Sequence, residues 1–150
     1  MLVYGGWDWE TCFSDVFLFH LASSTWRQLP FDAPTAERVR HTTVVNPRTG
    51  VAHVFGGEDR NRYLQNAMFA IAVQESGRGT FALVDCGAVP SERFGHAAAH
   101  HAPSATMLVC AGYAGDMAMA SDLFQFNYGM HALALVLLSE FCLCFLTCCV

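Results

Sequence analysis

Three short stretches constrain this chain more than anything else in it. Val3-Tyr4-Gly5-Gly6, Val54-Phe55-Gly56-Gly57 and Val109-Cys110-Ala111-Gly112 are each an apolar run closed by small residues. Counted at Gly5, Gly56 and Ala111, they stand 51 and 55 residues apart. Self-similarity at such a period means an array of supersecondary units, so the repeat must be read before any local motif.

Other landmarks recur in the same order. Residues 15–19 (DVFLF), 66–71 (NAMFAI) and 122–126 (DLFQF) begin 10, 10 and 11 residues after Gly5, Gly56 and Ala111. Each is a turn-forming acid or amide followed by an apolar run. His41 and His96 stand 15 residues ahead of Gly56 and Ala111, inside Arg38-Val39-Arg40-His41 and Arg93-Phe94-Gly95-His96. Trp26 and Phe81, 55 residues apart, supply an aromatic near the close of the unit. Glycine pairs permit positive φ and close backbone approach, which suits a tight exit from a buried strand. Turn signals such as Asn46-Pro47-Arg48-Thr49-Gly50 separate the apolar runs, and Pro30 stops the alternating run that starts at Trp26. The expectation is all-β: strands at about 1–6, 15–21, 26–29, 40–45, 51–55, 66–73, 80–85, 94–99, 106–110 and 122–126. Loops are expected at 7–14, 58–65 and 113–121.

Composition removes several function classes. Net charge is −5 and all eight basic residues are scattered arginines, so no basic stripe exists for nucleic acid. Without lysine there is no Schiff-base nucleophile or phosphate-cradling lysine. No G-x-S-x-G elbow or P-loop pattern occurs. The pairs Asp8/Glu10 and Glu58/Asp59 fall in loops and are expected to be solvated. His96, His100 and His101 cluster in sequence, but residues 96 and 100 on a strand lie about 13 Å apart. That argues against a metal centre, and His41 and His96 read as structural residues of the repeat. The seven cysteines are an odd number, and four of them crowd the last nine positions. No disulfide framework follows, and a reducing, cytoplasmic compartment is the expectation.

The landmarks resemble the kelch repeat. That family's marks are an Arg-x-Gly-His approach, an apolar strand ending in Gly-Gly, an Asp-led strand and a Trp. They stand here as RFGH (93–96), VFGG (54–57), DVFLF (15–19) and TW (25–26). The resemblance covers about residues 1–128; Ala111, Arg40 and Phe81 depart from it. It implies a partial kelch-type β-propeller of four-stranded antiparallel blades at about 1–30, 38–86 and 93–128, the first and last incomplete. Gly5, Gly6, Gly56, Gly57, Gly112, His41, His96 and Trp26 are then structural. An open arc of such blades is also expected to self-associate.

The resemblance further implies a protein-interaction module, an adaptor or scaffold, without cofactor, metal or catalytic centre. In an antiparallel meander the loops 7–14, 58–65 and 113–121 share one end with the connectors 30–37 and 86–92. That end carries Trp7, Trp9, Arg60, Asn61, Arg62 and Tyr63, residue types that dominate interface energetics. The competing expectations are a propeller enzyme and a membrane-tethered scaffold. The latter rests on residues 129–150, an apolar, cysteine-rich tail outside the repeat. Residues 131–150 are just long enough for a membrane helix, but Glu140 sits at the centre and no Lys or Arg flanks it. The loss of the repeat pattern there favours a tail foreign to the fold.

Overall fold

The computed structural model describes residues 1–135 except 88, 116 and 117. Among them there is no helix, and they form thirteen strands. The architecture is all-β, antiparallel sheets stacked face to face along the chain, consistent with the partial propeller that the resemblance implies. The first sheet contains β1 (Leu2–Trp7), β2 (Cys12–His20) and β3 (Thr25–Gln28), in that order. The second contains β4 (Thr42–Val45), β5 (Ala52–Phe55), β6 (Met68–Val73) and β7 (Gly79–Val84). Strands β8 (Arg93–Phe94) and β11 (Tyr113–Ala114) pair as a small ribbon. The last sheet contains β9 (Ala97–His101), β10 (Thr106–Cys110), β12 (Leu123–Asn127) and β13 (Ala132–Leu135). All the strand pairings are antiparallel.

The middle sheet has both faces covered, and β5 is buried at every position. Strand side chains alternate between faces. Ala52 and Val54, with Ile71 of β6, pack on Tyr4, Val16 and Leu29 of the first repeat. Phe55, with Met68 and Val84, packs on Met107, Val109 and Phe126 of the last sheet. Each such side chain withdrawn from water contributes about 1.5–3 kcal/mol, so the two seams are the main source of stability. The outer face of the first sheet stays open: Val3 is 40% and Trp26 55% exposed.

Several boundaries differ from expectation. Strand β1 does not stop at Gly5-Gly6; it continues to Trp7, absorbing the irregularity as a register shift between Tyr4 and Gly6. Strand β2 begins at Cys12, so the first loop shrinks to a tight hairpin turn. The loop 113–121 contains β11, recruited by the backbone of Arg93 and Phe94. The last sheet has four strands rather than three, because residues 132–135 pair with β12. Residues 136–150, which carry most of the tail and its cysteines, lie outside the described residues. No described helix is long and apolar enough to cross a membrane.

Register also corrects one equivalence. Tyr4 pairs with Val16, Phe55 with Met68 and Cys110 with Leu123. The residues just before those partners are Asp15, Ala67 and Asp122. Ala67, rather than Asn66, is therefore the counterpart of the two aspartates. By the same ladders Trp26, Phe81 and Leu133 are equivalent. Phe81 is covered by Tyr4, Phe69 and Phe31. Trp26 rests on Phe19 on the open face, ring centres 4.8 Å apart.

Candidate functional site

The glycine pairs are where one repeat is joined to the next. The amide of Gly6 donates to the carbonyl of Arg38 at 2.9 Å, and that of Gly57 to the carbonyl of Arg93 at 2.8 Å. A methyl group on Gly56 would stand 2.7 Å from the Arg93 carbonyl, and Gly56 has φ +66°, so a side chain there is excluded twice over. Two glycine positions of the repeat take the same left-handed backbone without glycine: Ala111 at φ 59° and Arg40 at φ 57°, the latter where the last repeat has Gly95 at 62°. Gly112, like Gly57, packs on the approach segment of its own repeat, here Phe94 and His96.

The approach arginines turn back under these glycines. Arg93 is fully buried and grips Asp122 with both terminal nitrogens, at 2.5 and 2.9 Å. It also reaches the carbonyl of Ala111 at 3.1 Å and lies over the ring of Phe124 at 5.4 Å. The guanidinium holds the Asp122 carboxyl below its usual range. Arg38 follows the same path, to the carbonyl of Gly56 at 3.3 Å and over Phe69 at 5.4 Å. With Ala67 in place of an aspartate it has no carboxylate, and its Nε has no partner. Burial pulls its pKa down.

His41 and His96 line the same seams. His96 shares a 2.7 Å hydrogen bond between Nε2 and Thr42 Oγ1 and meets the edge of Phe55; His41 leans on Tyr4. Burial lowers both imidazole pKa values to about 4, so both rings are neutral near pH 7. Among the described residues no three His, Cys, Asp or Glu side chains are grouped to hold a metal.

Just outside the first seam a cleft of about 190 Å³ opens between two loops. Its walls are Trp7, Trp9, Arg40, Glu58, Arg60 and Arg62, with Cys12 among the remaining lining residues. Both loops are built the same way, two residues beyond the second glycine of a pair. Asp8 accepts the amides of Glu10 and Thr11, at 3.1 and 2.7 Å. Asp59 accepts those of Asn61 and Tyr63, at 2.8 and 3.0 Å. These Asx turns carry Trp9 at φ 82° and Arg62 at φ 63°. Strained backbone of this kind concentrates where side chains must be aimed.

The aimed groups meet. The rings of Trp7 and Trp9 lie 5.1 Å apart, and the Arg62 guanidinium stands 5.8 Å from the centre of a Trp7 ring. Trp9 is 84% exposed. Arg60 ion-pairs with Glu37 at 3.4 Å, tying the loop to the connector 30–37. Of the six residues expected at this end, Trp7, Trp9, Arg60 and Arg62 line the cleft. Asn61 and Tyr63 do not line it; Tyr63 projects into solvent.

Arg40 and Glu58 form an unexpected wall. Their side chains pair at 2.9 Å, and Arg40 lies over Phe94 at 5.1 Å. Glu58 is buried rather than solvated, because its backbone bridges Val39 and Leu64. The signal in the sequence was Arg40 itself, a charged residue where the other approach has glycine.

Stacked antiparallel sheets of three and four strands joined at glycine pairs define a propeller-type repeat protein. The model of the Kelch motif matches residues 1–30, so the chain carries a kelch motif over its first sheet. No curated protein matches the chain.

Proposed function

We propose that this chain is a protein-interaction module that seats a partner in the cleft between the hairpin turn at 8–11 and the loop at 58–65. Kelch motifs generally build such modules. The observation that carries the reading is the convergence of Trp7, Trp9 and Arg62 from two successive repeats. Tryptophan gives large contact area at little cost in side-chain entropy, arginine gives directional donors, and both dominate interface hot spots. The turn aspartates hold both loops before binding, which lowers the ordering cost of association. An adaptor or scaffold role follows from such a module, with the partner chosen by this loop end.

The test is quantitative capture with the parent chain and three variants. Trp9→Ala and Arg62→Ala should each weaken a captured partner by about 2 kcal/mol, roughly thirtyfold. Trp26→Ala removes an exposed aromatic from a different face and should leave capture unchanged. Retention of the partner by both cleft variants, or its loss in Trp26→Ala alone, sinks the assignment.

A further inference from the structure

We propose that the groove between the second and last sheets binds a small, flat, neutral molecule with an apolar body and one hydroxyl group. Both sheets have four strands, so the groove belongs to a seam whose two sides are complete. Its volume is about 290 Å³. Ala70, Ala72, Thr80 and Ala82 of β6 and β7 line it from one side, with His53 of β5. Tyr128 and His131, from the turn ahead of β13, line it from the other. It is separate from the cleft that holds Trp7 and Trp9.

The ladders show how the groove arises. Tyr4 pairs with Val16 as Phe55 pairs with Met68. By that match, Leu2, Leu18 and Arg27 of the first sheet correspond to His53, Ala70 and Ala82 of the second. In the first seam Leu2 and Leu18 pack on the shared core, and Arg27 crosses to the Gly77 carbonyl at 3.0 Å. In the second seam two of these three side chains are cut back to methyl groups. The larger side chains alongside, Phe55, Met68 and Val84 against Met107 and Phe126, still hold the sheets apart. Facing sheets stand about 10 Å apart, so the shortened row leaves a slot.

The third match puts an imidazole where the first seam has leucine. His53 is 4% exposed, its ring 4.8 Å from that of Tyr128 and 5.3 Å from that of Phe126. Its Nδ1 closes no hydrogen bond among the described residues. An unpaired buried polar atom is costly, and a hydrogen bond brought in by a ligand removes that cost. Nδ1 is shielded from solvent, so binding turns the ring about its Cβ–Cγ bond. Burial lowers the His53 pKa, outweighing the pull of the Val51 carbonyl, so the ring is neutral near pH 7. One nitrogen of a neutral imidazole donates and the other accepts; a hydroxyl does both and suits either tautomer. None of the described lining residues is Asp, Glu, Lys or Arg, so a charged ligand finds no carboxylate, ammonium or guanidinium to pair with. Alanine methyls and the Tyr128 ring favour a flat apolar body.

Phenol is the probe, titrated into the full chain near pH 7 and followed by NMR of the aromatic side chains. Saturable shifts of His53, His131 and Tyr128 are expected. Toluene lacks the hydroxyl, and benzoate and benzylammonium add a charge of either sign; each should bind roughly tenfold or more weakly. Ala70→Leu and Ala82→Arg restore the first seam's side chains. Each should weaken phenol roughly tenfold or more at an undiminished melting temperature, because the slot has room for the added atoms. Absence of saturable binding overturns the proposal, as do shifts confined to Trp7 and Trp9. Toluene or a charged analogue binding as well as phenol overturns it, and so does phenol binding kept by both variants. A melting temperature lowered in both variants overturns it as well, by showing that the row has no spare room.

Discussion

Arg38 and Arg93 follow one plan with different endings. Each turns back beneath a small-residue pair, reaches its first carbonyl and lies 5.4 Å from an aromatic ring centre. Arg93 then meets Asp122, whereas Arg38 meets only Ala67 at the matching place and keeps an unpartnered Nε. A buried charge is costly unless paired. The contrast shows that the fold needs the arginine's path, its stem packing and its carbonyl contact, and tolerates the loss of its counter-ion in one seam. The neutral imidazoles of His41 and His96 are common to both seams.

Acid should therefore break both seams, with the largest effect. Each imidazole titrates near 6.5 when unfolded and about 4 when folded. As pH falls the unfolded chain takes up protons first, so the stabilisation is complete above about pH 6.5 and drains away down to about 4. Its full extent is about 3 kcal/mol for each ring, and denaturant titrations across this window measure it. The lowered Asp122 pKa works in the same direction.

Asp122→Ala should reproduce in the third sheet the ending that the middle sheet already has. It strands a fully buried guanidinium and should cost ~3 kcal/mol, the low end for a buried pair because Asp122 is itself partly exposed. A shift in the denaturation midpoint at unchanged slope is the readout. The reverse experiment is Ala67→Asp, which gives Arg38 the carboxylate it lacks. A gain of about 1–2 kcal/mol in melting experiments is expected; destabilisation would show that the matched register does not place the two groups together. Smallest is Ala111→Gly, which relieves a left-handed backbone at φ 59° and should add about 0.5–1 kcal/mol.

The period, the strand order and the structural role of the glycines were legible because backbone geometry dictates them. Only glycine fits between the strand exit and the Arg93 carbonyl, so it recurs wherever that approach recurs. The pairing of Arg38 with its counterpart position was not legible. Asn66 resembles Asp15 as a turn former, and only the ladder from Phe55 to Met68 shows that Ala67 is the matching residue. At the candidate site, residue type and loop position pointed to Trp7, Trp9, Arg60 and Arg62. Glu58 was hidden because its burial depends on a partner 18 residues earlier in the chain. Nothing local in Gly-Gly-Glu-Asp announces an ion pair with Arg40.

The amide-to-carbonyl stitch at each glycine pair also bears on how such arrays grow. Half of each joint lies inside one repeat, at the exit of its second strand, and half at the start of the next, as Gly57 and Arg93 illustrate. A duplicated unit inserted anywhere brings a glycine amide for its successor and an arginine carbonyl for its predecessor. Copies can then be gained or lost without redesign of either neighbour, and divergence is free to fall on the loops beyond the glycines, where Trp9 and Arg62 stand.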